Sequence, residues 1–188
     1  MTRNELVMRL SATAGKTKVD KLTKIIKERA FRLRDIIDVT FHEDKTIAFR
    51  AAWLLENVFL VNPVFYLPEL DYLLKKYMEV EYPSCQRHYA KIVMHITSSK
   101  THPLIKRKLL EINMEPIVEK CFDWMIDPKV LIAVKRFSAE ALFNLRHRYD
   151  WIGVELAAQV KFLMRDGTAA IQTYGKKILE ILEKESGA

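Results

Sequence analysis

The sequence predicts an all-α fold, a right-handed α-α superhelix of about ten or eleven helices. Apolar residues recur at three- and four-residue spacing almost throughout, and no segment alternates with the period of two that is typical of a strand. With five Gly and six Pro among 188 residues, the chain has too few turn residues for many short strands. The prolines stand where a first helical turn is expected, so they also mark helix boundaries.

Capping signals place the individual helices in order along the chain. His42-Glu43-Asp44 starts the helix that carries Trp53, and Asp166-Gly167-Thr168 ends one helix and caps the next. The proline signals are Pro68, Pro83, Pro116 and the pairs Asn62-Pro63, His102-Pro103 and Asp127-Pro128. The predicted helices are 3–11, 16–28, 30–40, 44–61, 68–79, 84–98, 103–112, 115–125, 128–147, 150–165 and 168–185.

Four of these helices can be written in one register, at 47–58, 85–96, 134–145 and 170–181. The sixth position is always small, and the ninth is always aliphatic. The small residues are Ala52, Ala90, Ala139 and Gly175, and the aliphatic ones are Leu55, Val93, Leu142 and Ile178. A small residue lets a neighbouring helix approach closely, and the spacing of 36 to 49 residues is typical of two- and three-helix solenoid repeats.

The register also predicts the domain organisation. Because a helical hairpin cannot bury its apolar face alone, neighbouring repeats must stack. We expect one helical-repeat domain over residues 1–188. Its parts are a basic N-terminal segment 1–40, repeats at about 41–80, 81–126 and 127–166, and a capping helix at 167–188. Tyr66, Tyr72 and Tyr77 either cover a dimer contact or fill the space between repeats.

The segments 49–57 and 134–145 resemble the second helix of HEAT and armadillo repeats, and the resemblance covers residues 16–185. It implies a solenoid that binds a protein or peptide partner on its concave face. Trp53 and Asn57, at i and i+4, resemble the pair by which armadillo domains hold an extended peptide; Glu140 stands in the Trp position of a later copy. The candidate contacts are Arg50, Trp53, Asn57, Lys91, His95, Arg136, Glu140 and Asn144.

The net charge of +7 is confined to the N-terminal part of the chain. Residues 1–34 hold ten Lys and Arg and three acids, whereas residues 35–188 hold 21 of each. On a helical wheel one side of the segment 16–37 is basic. This basic patch consists of Lys16, Lys21, Lys24, Lys27, Arg32 and Arg34. It is either a solvated helix face or a docking strip for nucleic acid, an anionic membrane surface or an acidic partner.

The sequence contains no motif that identifies a catalytic, metal-binding or cofactor-binding residue. The chain lacks Gly-rich phosphate loops, H-E-x-x-H and C-x-x-C. His88, His95 and His102 are seven residues apart, about 10.5 Å along a helix, which is too far for one ion to bridge. Cys85 and Cys121 lie in apolar helical patterns. Without a signal peptide or an apolar run of about 18 residues, a cytoplasmic location is predicted.

Two enzymatic alternatives come from resemblance. DNA-alkylation-repair glycosylases share HEAT-like repeats and line a basic groove with Trp, Asp and Arg. The residues of those types here are Trp53, Trp124 with Asp123 and Asp127, Trp151 with Asp150, Arg146 and Arg148. Short bacterial helical chains are also named for adenylosuccinate lyase, but Ser98-Ser99-Lys100 lacks the Gly and the Met-Pro of that enzyme's loop. The favoured interpretation is therefore a non-catalytic scaffold; nucleic-acid binding is the alternative and lyase activity is least favoured. The partner and the oligomeric state stay open.

Overall fold

The structure, a computed structural model, describes residues 2–12, 23 and 32–186. These residues form ten α-helices, one 3-10 turn and no strand. The helices are α1 (Arg3–Ser11), α2 (Leu33–Val39), α3 (Lys45–Val61), α4 (Leu70–Glu79, preceded by the 3-10 turn Leu67–Glu69), α5 (Pro83–Thr97), α6 (Pro103–Glu111), α7 (Glu115–Ile126), α8 (Ile132–Leu145), α9 (Ile152–Met164) and α10 (Ala169–Ser186). The predicted all-α fold is confirmed, whereas the predicted helix 16–28 lies outside the described residues except for residue 23.

The helices pack as two rows. A first-helix row consists of α2, α4, α7 and α9, and a second-helix row consists of α3, α5, α8 and α10. In the second-helix row α3 packs on α5 and α5 packs on α8, while α2, α7 and α9 each pack on the second helix that follows them. α1 lies against α2 and α3, and α6 leads from α5 toward the next hairpin. This repeated arrangement is an all-α solenoid.

The four helices of the common register are the second-helix row, as the repeat analysis predicts. All four small residues are buried, and so are the four aliphatic residues that follow them by three positions. At Gly175 the packing is tightest, because a Cβ there would lie 2.3 Å from Met164 Sδ and 3.1 Å from Val160 Cγ1. The absence of a side chain at Gly175 therefore lets α10 approach α9.

We expect Gly175→Leu to lower the free energy of unfolding by about 1–3 kcal/mol, because the added side chain would force α10 away from α9. Gly175→Ala is the smaller step in the same series. Its Cβ meets Met164 Sδ and Cγ, so the flexible Met164 side chain must shift, but a gain in helix propensity of about 1 kcal/mol offsets part of that cost, and the loss should be smaller than for Gly175→Leu. Urea unfolding of both variants measures the difference, and equal stabilities would contradict the packing argument.

Two of the proline signals are followed by a turn and not by the first turn of a helix. α3 ends at Val61, and Asn62 Oδ1 accepts a hydrogen bond from the Phe65 N–H at 3.3 Å, so Pro63 lies in a turn. Asp127 Oδ1 likewise accepts from the Lys129 N–H at 2.8 Å, and α8 begins only at Ile132. The predicted helix start at 128 and the first-turn position of Pro63 were wrong, because an Asn or Asp side chain before proline stabilises a local turn as readily as a helix start.

Two other capping predictions are confirmed. Asp44 Oδ1 accepts from the N–H groups of Thr46 at 2.7 Å and Ile47 at 3.3 Å, and His102 Nδ1 accepts from the Leu104 N–H at 3.2 Å. These caps fix the starts of α3 and α6. In the described part of the chain, no helix is both long enough and apolar enough to cross a membrane.

Candidate functional site

The described residues form a cleft of about 1160 Å³, called here the α8–α10 cleft. It lies between α8, α10 and the C-terminal end of α5. It opens at this point because α10 packs mainly on α9, whereas α5 and α8 pack directly on each other. The apolar lining residues are Met94, Phe143, Ala169, Tyr174, Ile178 and Ile181; the polar ones are His95, Ser98, Lys100, Arg136, Glu140, Asn144, Thr173 and Lys177.

Helical periodicity explains which side chains reach the cleft. On α8, the residues Arg136, Glu140 and Asn144 are four apart and therefore share one side of the helix. On α10, Thr173, Lys177 and Ile181 follow the same spacing. The buried positions of both helices lie on the sides that face their neighbours in the core. The cleft is thus lined by the sides of α8 and α10 that are turned away from the core, and these sides carry both polar and apolar residues.

The electrostatic environment of the cleft is mainly positive. Lys100, Arg136 and Lys177 have no ion-pair partner among the described residues, and Glu140 is the acid among the lining residues. Partial burial, and then the charge of Lys91, lower the pKa of His95, so its ring is neutral near pH 7. The cleft therefore carries an excess of cationic side chains that favours an anionic ligand.

Tyr174 forms part of the cleft wall beside two of these groups. The Arg136 guanidinium lies 5.4 Å from the centre of the Tyr174 ring. The Tyr174 hydroxyl is buried and lies beside the Glu140 carboxylate. Burial, and then this carboxylate, raise the pKa of Tyr174, so the hydroxyl stays protonated. Tyr174 therefore forms part of the cleft wall with its hydroxyl turned toward Glu140.

Four of the eight predicted contact residues meet in this cleft: His95, Arg136, Glu140 and Asn144. Asn144 also has a structural contact, because its Nδ2 donates to the Met94 carbonyl at 3.3 Å and lies 3.4 Å from Thr97 Oγ1. These bonds join α8 to the end of α5 and hold one wall of the cleft in place. The assignment of all eight residues to partner binding stays a prediction.

The other four predicted residues lie elsewhere on the second-helix row. Arg50 donates to the Leu10 carbonyl at 2.8 Å and to the Ser11 carbonyl at 3.0 Å, so it caps the end of α1. Trp53 is half-buried, and Asn57 Nδ2 donates to the Trp53 carbonyl at 3.1 Å within the same helix. Lys91 pairs with Glu56. Each of these side chains therefore has a contact inside the solenoid.

A buried charged cluster joins α3 to α5, and sequence reasoning missed it. The Glu56 side chain, in a residue only 7% exposed, lies 2.7 Å from His88 Nδ1 and also contacts Lys91 Nζ. Burial would raise the pKa of Glu56, but the hydrogen bonds from His88 and Lys91 outweigh burial and lower it. The partners lie 32 and 35 residues away, so no local pattern in the sequence indicates the cluster.

Four of the residues that suggested a glycosylase groove, Trp124, Trp151, Arg146 and Arg148, have contacts with other parts of the chain. Trp124 is 3% exposed and packs with its ring centre 4.7 Å from that of Tyr77, inside the core. Trp151 stacks on Phe122. Arg146 forms two hydrogen bonds with Glu185, and Arg148 donates to the Leu109 and Ile112 carbonyls at 2.7 and 2.6 Å. The structure therefore gives these residues packing and capping contacts.

Two further groups of candidate residues can be placed. Cys85 and Cys121 are buried, and burial raises the pKa of each thiol to about 12. Over residues 2–12, 23 and 32–186, no cluster of three or more His, Cys, Asp or Glu could hold a metal ion. In the basic patch, Arg32 pairs with Asp35 and Arg34 pairs with Glu69, while Lys16, Lys21, Lys24 and Lys27 lie outside the described residues.

Comparison with known proteins gives one match. A family model described as a HEAT repeat domain matches residues 6–182, which is nearly the whole described chain. No curated protein and no solved structure matches.

Proposed function

The chain belongs to the HEAT repeat domain family, and on that premise we propose that it is a non-catalytic scaffold that binds a segment of a partner protein in the α8–α10 cleft. The observation that carries the proposal is the cleft itself, about 1160 Å³ in volume. Ligand pockets for small molecules are typically about 300–1,000 Å³, so this cleft has room for a short peptide segment.

The composition of the cleft supports a peptide ligand. Phe143 and Ile181, which are partly exposed, supply apolar surface that favours burial of an aliphatic or aromatic side chain. Around them, polar side chains such as Asn144 and Thr173 offer hydrogen bonds to a backbone. The bonds from Asn144 to α5 hold this surface in place before binding, which reduces the entropy cost of association.

We expect Thr173→Trp to weaken peptide binding by about tenfold or more, because a bulky ring at this exposed position would fill the cleft without disturbing the core. Peptide ligands would first be selected from an unbiased 12-residue display library on the immobilised full chain. Fluorescence anisotropy would then compare the dissociation constants of the selected peptides for the wild type and the variant.

Lys75→Trp is the matched control, since Lys75 is exposed on α4 and does not line the cleft. It should leave binding unchanged, as should Trp53→Ala combined with Asn57→Ala. Loss of binding in the Trp53 and Asn57 variant alone would move the site to the first repeat and contradict binding in the cleft.

Labelled oligonucleotides, measured in the same assay, test the alternative function, which is nucleic-acid binding. The alternative would be favoured if no peptide binds and if an oligonucleotide binds with an affinity that falls as salt is added. Replacing Lys21, Lys24 and Lys27 with Glu should then abolish oligonucleotide binding.

A further inference from the structure

We infer that the segment bound in the α8–α10 cleft is acidic, with Asp or Glu side chains on either side of an aromatic or aliphatic anchor. The inference rests on the proposed function and names the chemistry of the partner. It comes from the charged side chains on the three walls of the cleft, which are formed by the end of α5, by α8 and by α10.

Each wall contributes one cationic side chain. Lys100 follows the end of α5, Arg136 lies on α8 and Lys177 lies on α10. Some other cations of the described surface form ion pairs, as Lys108 does with Asp71 and Arg146 does with Glu185, while others such as Lys75 do not. The three cleft cations differ from both groups because they line one cavity from three sides and form no ion pair among the described residues. A ligand with carboxylates would therefore supply the missing counter-charges.

The charges of α10 are also separated between its two sides. Lys177 lines the α8–α10 cleft, whereas Glu183 and Glu185 line a different groove of about 710 Å³ between α9 and α10. There Glu183 lies 3.8 Å from Lys161, and Glu185 pairs with Arg146. Glu180, the third acid of α10 in the described residues, pairs with Lys184, so no described acid of this helix forms an ion pair with Lys177.

The three cations differ in the way they can bind a carboxylate. Arg136 presents a planar guanidinium whose position is supported by the Tyr174 ring at 5.4 Å, so it can form two parallel hydrogen bonds with one carboxylate. Lys100 and Lys177 are exposed and can adjust to carboxylates farther along the segment. The partly exposed apolar residues of the cleft, Phe143 and Ile181, would receive the anchor side chain. A bound segment therefore has alternating acidic and apolar contacts.

Glu140 allows a test in which the expected result is tighter binding and not weaker binding. It is the acid among the lining residues and lies near Arg136 and Tyr174. An acidic ligand would be repelled by this carboxylate, so Glu140→Gln should bind an acidic peptide more tightly. A purely structural role for Glu140 would not produce tighter binding.

The test uses the peptides selected on the full chain by unbiased display, and a second set in which every Asp and Glu is replaced by Asn and Gln. We expect the selected sequences to be enriched in Asp and Glu, and neutralisation to weaken binding about tenfold or more. Arg136→Glu combined with Lys177→Glu should weaken binding of the acidic set to a similar extent, and Glu140→Gln should strengthen it about twofold.

The matched control is Lys75→Glu combined with Lys129→Glu, because both lysines are exposed and neither lines a cleft. Its affinity should equal that of the wild type. If the charge-reversal variant does not fold, Arg136→Gln with Lys177→Gln should still show a loss of binding. Unchanged affinity in a folded charge variant would overturn the inference.

The two proposals fail in different ways. Selected peptides that lack acidic residues but still lose binding in Thr173→Trp would overturn the acidic ligand and keep the cleft as the binding site. The absence of any peptide that depends on the cleft would overturn both. An oligonucleotide that displaces the acidic peptide and binds more tightly would also overturn the acidic ligand, because the cations would then serve a phosphate backbone.

Discussion

Replacing Tyr77 with Ala is expected to lower the free energy of unfolding by about 3–5 kcal/mol, the usual cost of removing a buried aromatic ring. Tyr77 of α4 is fully buried, and its ring centre lies 4.7 Å from that of Trp124 in α7. Its hydroxyl is hydrogen-bonded to Cys121 Sγ at 3.1 Å. The variant would leave a cavity between two consecutive helices of the first-helix row, so the loss comes from the contact between repeats.

Tyr77→Phe separates the ring from the hydroxyl. It keeps the packing against Trp124 and loses only the hydrogen bond to Cys121, so we expect a cost of about 1 kcal/mol. Urea unfolding followed by circular dichroism at 222 nm measures both variants against the wild type. A cost for Tyr77→Ala as small as that for Tyr77→Phe would show that the space between these repeats closes without the ring.

Glu56→Ala is expected to lower the free energy of unfolding by about 2–4 kcal/mol, because the buried His88 ring loses its acceptor. His88 Nε2 already has no hydrogen-bond partner in the described structure, so Glu56 is the partner that its other nitrogen depends on. Lys91 contributes less, since about a third of its side chain is exposed and can turn to water. The variant therefore weakens the connection between α3 and α5.

The stabilisation by Glu56 should depend on pH in a defined direction. The hydrogen bonds lower the pKa of Glu56 in the folded chain below its ordinary value of 4.5. A carboxylate whose folded pKa is depressed contributes stability above its unfolded pKa, and that contribution is lost as pH falls through the folded pKa. The stability difference between the wild type and Glu56→Gln should therefore be largest near pH 7 and shrink below pH 4.5. Unfolding at pH 7 and at lower pH measures it, and a constant difference would contradict the cause.

Much of the helical architecture could be predicted from local signals in the sequence. The predicted segment 3–11 coincides with α1, whose Thr2 and Glu5 cap each other at the N-terminus, and His102-Pro103 marks the start of α6. Asn62-Pro63 and Asp127-Pro128 carry the same kind of signal but form turns. The side-chain bond that they make is local in both cases, so only the packing of the following residues decides whether a helix or a turn forms.

Only the tertiary structure showed what surrounds the tyrosines and the acids. Tyr77 fills the space between repeats, and of the two alternatives left open by the sequence the dimer contact does not apply to it, because its side chain is fully buried. In the sequence, Glu56 has the pattern of an ordinary polar residue in an amphipathic helix. Its partners, His88 and Lys91, come from a neighbouring helix, and their approach depends on how α3 and α5 stack.

By itself, the sequence determined the repeat. Its register identified the second-helix row, and its spacing put Arg136, Glu140 and Asn144 on one side of α8, because helical periodicity is a local property of the chain. The tertiary structure decided where that row closes and where it opens. The small residue in the register lets α3, α5 and α8 stack on one another, whereas Gly175 seats α10 against Met164 and Val160 of α9 and leaves the cleft beside α8. Helix separation depends on the volumes of side chains that meet from distant positions, and no single segment of the sequence contains that information.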